Sequence, residues 1–301
     1  MNGILNVYKE QGYTSHDVVA RLRGILHMKR IGHTGTLDPM AEGVLPVCVG
    51  SATRLSEFLT EKEKTYEASA VLGRETDTQD ATGQILRERP AEAALVTREM
   101  LETALLSFLG DYDQIPPMYS ALKVDGKKLY ELARKGKEVE RAPRRVRIEH
   151  IELLSADLPA FSFRVTCSRG TYVRTLCADL GDRLGCGAVM SSLLRTQSGT
   201  FSLEESRTLA QIEAAVKEDR LGDILLPVEY PFLGRAAVHV RGDGEKYLQN
   251  GNPLRPEHVD AFPQSGEVRV YDASGAFAAL YRTDAERGLL WPVKMFLDRR
   301  S

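Results

Sequence analysis

Long apolar runs, paired cysteines and clustered histidines are all missing from this 301-residue chain. No stretch approaches the roughly 20 consecutive apolar residues that a spanning helix needs, so no membrane segment is expected. The opening residues, Met1 through Tyr8, lack a basic region followed by a long apolar run, and no signal peptide is expected. The four cysteines, Cys48, Cys167, Cys177 and Cys186, show no metal-ligand spacing. They read as reduced, buried thiols of a cytoplasmic protein. No two of the six histidines sit at a ligand spacing on one helix face, so no metal site is expected. Gly32-x-x-Gly35 lacks the lysine and the spacing of a phosphate-cradling loop, and no dinucleotide fingerprint is present. A reaction without cofactors is implied.

What is present begins with segregated charge. The net charge is only −2, yet Arg21, Arg23, Lys29 and Arg30 fall within ten residues that hold no acid. Residues 115–148 carry ten basic side chains, Lys127 and Lys128 among them, against four acidic ones. Such a distribution suits a polyanion on one face of the molecule. A solvated helix with local charge pairing is the competing reading of either stretch alone.

The densest signal is Gly32-His33-Thr34-Gly35-Thr36-Leu37-Asp38-Pro39-Met40-Ala41-Glu42-Gly43. Glycines let the chain take otherwise closed backbone angles, and Pro39 pushes Asp38 toward an extended conformation. Apolar runs flank the loop on both sides, so it reads as a device for aiming Asp38 and His33. An aspartate that merely caps a turn is the second reading. A lone ionised carboxylate can act as a nucleophile or stabilise positive charge developing on a sugar.

Elsewhere, alternation predicts strands over 4–8, 64–73, 144–154 and 160–168, with strand-like sequence over 187–200. A capping box at Thr14 to Asp17 opens a helix, and further helices are predicted over 52–60, 97–109 and 209–217. Another starts near Gly170 and places Arg174 in about its first turn, where a cation gains nothing from the helix dipole and needs an anionic partner or exposure. Residues 114–143 form a basic insertion bounded by prolines and glycines, suited to ordering on a nucleic acid. Short strands spaced by turn residues after Pro231 predict a small barrel.

The Asp38 block, followed by Gly43-Val44-Leu45-Pro46, resembles the signature of the TruB family, the tRNA pseudouridine-55 synthases. The resemblance continues in order through Lys64-Thr65-Tyr66, Thr76-Asp77-Thr78-Gln79-Asp80, the Gln114 to Lys123 block, Gly126 to Tyr130 and Ser168 to Thr175. Where many members have Leu-Arg-Arg, this chain reads Leu193-Leu194-Arg195. The resemblance implies an α+β pseudouridine synthase fold with a mixed, mostly antiparallel sheet over residues 1–230, with a thumb insertion at about 114–143. A small β-barrel-like PUA domain for RNA binding is implied over residues 235–301. It further implies isomerisation of a uridine in the T loop of tRNA, without cofactor or metal. The implied enzyme is a monomer with no obligate protein partner and no membrane association. Asp38 would be the catalytic aspartate, Arg174 its partner, and Tyr66 the stacking residue and proton acceptor. Tyr172 and Leu193 would line the uridine pocket, His33 would fill the vacated stack, and Lys127 and Lys128 would bind RNA from the thumb.

Overall fold

Strand β1 (Gly3–Lys9) leads into helix α1 (Ser15–Ile25), whose first turn is closed by the expected capping box. Thr14 Oγ1 accepts from Asp17 N at 3.1 Å, and the Asp17 carboxylate accepts from Thr14 N at 2.8 Å. The computed structural model describes residues 1–124 and 126–297. Asp125 of the basic insertion and residues 298–301 of the expected second domain lie outside the described residues.

After the short β2 (Ile31–His33) and β3 (Glu42–Val49), a 3₁₀ turn over Gly50–Leu55 precedes α2 (Ser56–Thr60), so the predicted 52–60 helix is split. Then come β4 (Lys64–Leu72), the hairpin β5 (Arg74–Thr76) and β6 (Ile85–Glu88), α3 (Pro90–Ala93) and α4 (Arg98–Leu106). Strand β7 (Gly110–Gln114) enters the basic insertion, which folds as a small hairpin of β8 (Lys123–Val124) and β9 (Lys127–Lys128) with α5 (Leu129–Ala133). The chain returns through β10 (Arg144–Asp157), β11 (Ala160–Cys167), α6 (Val173–Arg183), β12 (Ala188–Ser198) and β13 (Phe201–Ser202). Helix α7 (Leu209–Lys217) and β14 (Leu225–Leu226) complete this half.

One ten-stranded sheet organises these elements, in the order β14-β1-β3-β12-β4-β11-β10-β7, with β2 on β3 and β13 on β12. Among the described residues only the β12–β3 pairing within it is parallel, so the expected mixed, mostly antiparallel sheet is present. In β4 the even-numbered residues from Lys64 to Leu72 are buried, and α4 and α6 pack their apolar stripes on that face around Phe161, Phe163 and Leu176. Helices α1 and α7 cover β1 and β3 through Val18, Leu22, Leu45, Val47 and Ile212.

The C-terminal expectation is corrected. Strands β15 (Ala237–His239), β16 (Glu267–Tyr271), β17 (Phe277–Asp284) and β18 (Leu289–Met295) form an open four-stranded sheet in sequential order, not a barrel of PUA type. Between β15 and β16 the chain forms α8 (Gly244–Gln249) and a 3₁₀ turn at Pro256–His258, leaving only isolated bridges at Val240–Val259 and Leu254–Leu290. Pro253, Pro256 and Pro263 in that stretch have no amide hydrogen to give a closing ladder. This sheet has its own core at Val238, Leu248, Val270 and Tyr281. A separate apolar cluster joins it to the large sheet: Phe232, Leu280 and Phe296 pack with Ile4, Cys48 and Leu55.

Candidate active site

The Asp38 loop, residues 34–41, joins β2 to β3 and is tied down at several points. Leu37 N donates to Ser15 Oγ at 2.9 Å, Gly12 N donates to Pro39 O at 2.8 Å, and Ala41 N donates to Asp38 O at 3.0 Å. Lys9, at the end of β1, is fully buried, and its Nζ donates to Ala41 O at 2.6 Å. Burial lowers the Lys9 amine to about 8, against the opposing pull of Glu42 and Asp38. Held this way, the Asp38 side chain keeps about a third of its surface open (34%).

Arg174 reaches the same point from the second residue of α6 and is itself buried. Its Nη1 lies 3.2 Å from Asp38 Oδ2 and 3.8 Å from Asp80 Oδ2. Its Nη2 donates to Tyr119 O at 2.5 Å. The cation at a helix N-terminus is thus matched by two carboxylates, which outweigh the unfavourable end of the dipole. Asp80 is fixed in turn: its Oδ1 accepts from Thr78 Oγ1, Thr82 N and Thr82 Oγ1 at 2.8, 2.9 and 2.6 Å. Burial pushes the Asp38 carboxyl above the usual carboxylate range, Arg174 opposes this, and the like charge of Asp80 adds to it. The result is a partly desolvated carboxylate, held in orientation and open on one side.

Tyr66 lies in β4, buried, in register with Arg195 of β12 and Val165 of β11. Burial raises its phenol above the ordinary range, while the Arg195 guanidinium acts to lower it. Tyr172 is the N-cap of α6 and is clamped by Gln114, whose Oε1 accepts from Tyr172 N at 2.8 Å while its Nε2 donates to Tyr172 O at 3.0 Å. The Arg174 guanidinium stands 5.8 Å from the Tyr172 ring centre. Leu193 is buried in the cluster that holds Leu37 and Tyr66.

Two profiles match this chain: "TruB family pseudouridylate synthase (N terminal domain)" over residues 23–173, and "tRNA pseudouridylate synthase B C-terminal domain" over residues 174–232. The chain belongs to the TruB family. It is therefore an isomerase that makes pseudouridine in tRNA. A tRNA pseudouridine synthase B of Lachnoclostridium phytofermentans is 49% identical over 310 residues, covering 99% of this chain and all of that one (100%). That of Alkaliphilus oremlandii is 49% identical over 274 residues, 90% of each chain. Among solved structures, a chain from an H/ACA RNP bound to a substrate RNA containing 2′-deoxyuridine has a TM-score of 0.73 at 25% identity. It covers 99% of this chain and 86% of that one.

In this TruB family member, His33 sits in β2 beside the Asp38 loop, half-buried, its Nδ1 accepting from Gly35 N at 3.3 Å. Burial lowers its imidazole below the ordinary histidine range. Lys127 and Lys128 form β9; Lys128 Nζ and the Arg134 guanidinium lie 5.4 and 5.5 Å from the Tyr130 ring centre. Four groups around the centre carried little sequence signal. Asp80 stood only within the Thr76 to Asp80 block, Lys9 lay just past the strand expected over 4–8, Arg195 fell in strand-like sequence and Tyr119 in the basic insertion. The available cue was a charged residue directly after apolar sequence, Lys9 after Val7-Tyr8 and Arg195 after Leu193-Leu194.

Proposed function

We propose that this protein converts uridine to pseudouridine at position 55, in the T loop of tRNA, acting without a guide RNA and on a base swung out of its stack. The observation that supports this best is the Asp38–Arg174 ion pair, formed between a loop and a helix far apart in the chain and left open on one side. Asp38 attacks the sugar or the base and supports departure of uracil as the glycosidic C–N bond breaks. The uracil turns, and C5 forms the new bond to C1′. Arg174 holds the carboxylate and favours its charged form. Tyr66 stacks on the target base and accepts a sugar proton. Tyr172 and Leu193 bound the uridine pocket. Extrusion of the nucleotide costs roughly a few kcal/mol, which His33 offsets by occupying the vacated space. Lys127 and Lys128 contact phosphates from the thumb.

The test is Asp38→Asn with an unmodified tRNA transcript. Product formation falls below about one-thousandth of wild type, while tRNA affinity persists. Turnover surviving in the variant rejects the assignment. Guide-dependent action is the second reading, favoured by the likeness to a chain of an H/ACA RNP. The long basic insertion supports autonomous recognition instead. Purified protein acting on the transcript alone separates the two.

A further inference from the structure

Arg195 is a fully buried arginine for which no carboxylate lies within ion-pair distance among the described residues. Its Nε donates to Val44 O at 2.6 Å, and Nη2 has no hydrogen-bond partner among the described residues. A buried, unpaired cation is strongly disfavoured, so its place in a packed sheet calls for a reason. Its neighbours add to the problem, because its charge acts to lower Lys9, His33 and Lys64. The group across the strand pair is Tyr66, directly in register. A Cβ on Gly35 would stand 3.7 Å from Arg195 Nη1, so the guanidinium lies beneath the Asp38 loop.

We propose that Arg195 is a positioning residue of the isomerisation, the fixed cation that stabilises negative charge on the Tyr66 oxygen when that oxygen takes the sugar proton. The inference rests on the proposed role of Tyr66 as proton acceptor. In that step the Tyr66 oxygen, as phenolate, forms an O–H bond with the proton from C2′. The electron pair of the broken C–H bond becomes the C1′–C2′ double bond, and the pair that joined C1′ to its leaving group, uracil N1 or an Asp38 oxygen that has displaced it, departs with that group. The phenol later returns the proton to C2′ as C5 bonds to C1′, so no oxidant or further reactant is required. At neutral pH Tyr66 rests as the phenol, because burial outweighs the guanidinium. Arg195 therefore enlarges a minority form.

The charged or titratable groups facing Tyr66 are Arg195 from β12, Cys167 from β11 and Asp38 from the loop. The Cys167 thiol is pushed up to about 11 and is neutral in the working range. Lys9 and Lys64 both titrate at about 8 beside Arg195, so a rate profile alone could report them instead. The experiment therefore reads Tyr66 directly. In full-length protein, 3-fluorotyrosine replaces Tyr66, and its ¹⁹F shift is titrated with Arg195 present, with Arg195→Gln and with Arg195→Lys. Single-turnover rates on unmodified tRNA and tRNA affinity are measured for the same Arg195 variants with ordinary Tyr66.

Arg195→Gln is expected to raise the phenol titration by about one pH unit or more and to slow the single turnover about tenfold or more, with tRNA affinity unchanged. Arg195→Lys keeps the charge and restores most of both. A folded Arg195→Gln protein with wild-type titration and rate overturns the proposal, as does a folded Arg195→Lys protein with neither restored. Full activity in Tyr66→Phe overturns the role of Tyr66 itself, and the inference with it. Loss of activity in Tyr66→Phe alongside an unaffected Arg195→Gln removes Arg195 alone.

Discussion

Asp80 Oδ2 stands 3.8 Å from the same Arg174 nitrogen that holds Asp38 at 3.2 Å, so one guanidinium nitrogen answers two carboxylates. Asp80 is almost fully buried and takes its other contacts from Thr78 and Thr82. Asp80→Asn keeps the shape and removes the charge. The expected outcome is a fall in single-turnover rate of about ten- to a hundredfold with tRNA affinity unchanged, because Arg174 loses one of its two carboxylate partners. The like charge of Asp80 raises the Asp38 carboxyl, so its removal also moves the acid limb of the rate profile to lower pH.

Lys9 acts on the same carboxylate with the opposite sign. Lys9→Met leaves the carbonyl of Ala41 without the Lys9 donor, while Pro39 O keeps its bond from Gly12 N, and is expected to destabilise the protein by about 1–3 kcal/mol, measured by urea unfolding. The lysine cation lowers the Asp38 carboxyl, so its loss moves the acid limb of activity to higher pH. The folded amine titrates at about 8 against 10.5 for the ordinary group, so the unfolded chain binds more protons between those values. The Lys9 contribution to stability accordingly rises with pH across that window and is lost as pH falls through about 8. The difference between wild-type and Lys9→Met stability curves isolates this slope.

Gly43 sets the distance between β3 and β12. Its φ is +103°, and a Cβ there would come within 2.3 Å of Arg195 O. Gly43→Ala is expected to lose at least about 2 kcal/mol of stability, through backbone strain and a clash that neither strand can relieve. Thermal unfolding checks this, and a variant as stable as wild type would refute it.

Replacing Lys127, Lys128, Arg134 and Lys135 by glutamine is expected to weaken tRNA binding and to flatten its salt dependence, by roughly 0.7–0.9 in log–log slope for each phosphate no longer neutralised. Filter binding at several salt concentrations measures it. Equal affinities and slopes would remove these side chains from the RNA surface.

Much of the large sheet was legible because its strands alternate. In β4 the buried even-numbered residues include Tyr66, Ala68, Ala70 and Leu72, the face that periodicity alone picks out. The pairing of Arg174 with an anion was legible in part, since a cation in a first helical turn asks for one. Arg195 and Lys9 were not, because a charged residue in a strand ordinarily marks the solvent face. Here the compensating groups are backbone carbonyls and a phenol brought in by other segments. The C-terminal sheet shows the limit from another direction. Alternation and turns around β16 and β17 look alike in an open sheet and a barrel, since closure depends on which edge strands meet, not on the period within each.

Phe232 touches the rings of Phe58, Phe277 and Phe296, and so belongs to both halves of the chain at once. A truncation ending near residue 235 would strip the cover from this aromatic seam and expose Ile4, Leu55 and Phe232 to water. Such a fragment is expected to precipitate before it can be assayed. Whether the last sixty or so residues take part in RNA capture is therefore to be read from surface substitutions, never from deletion.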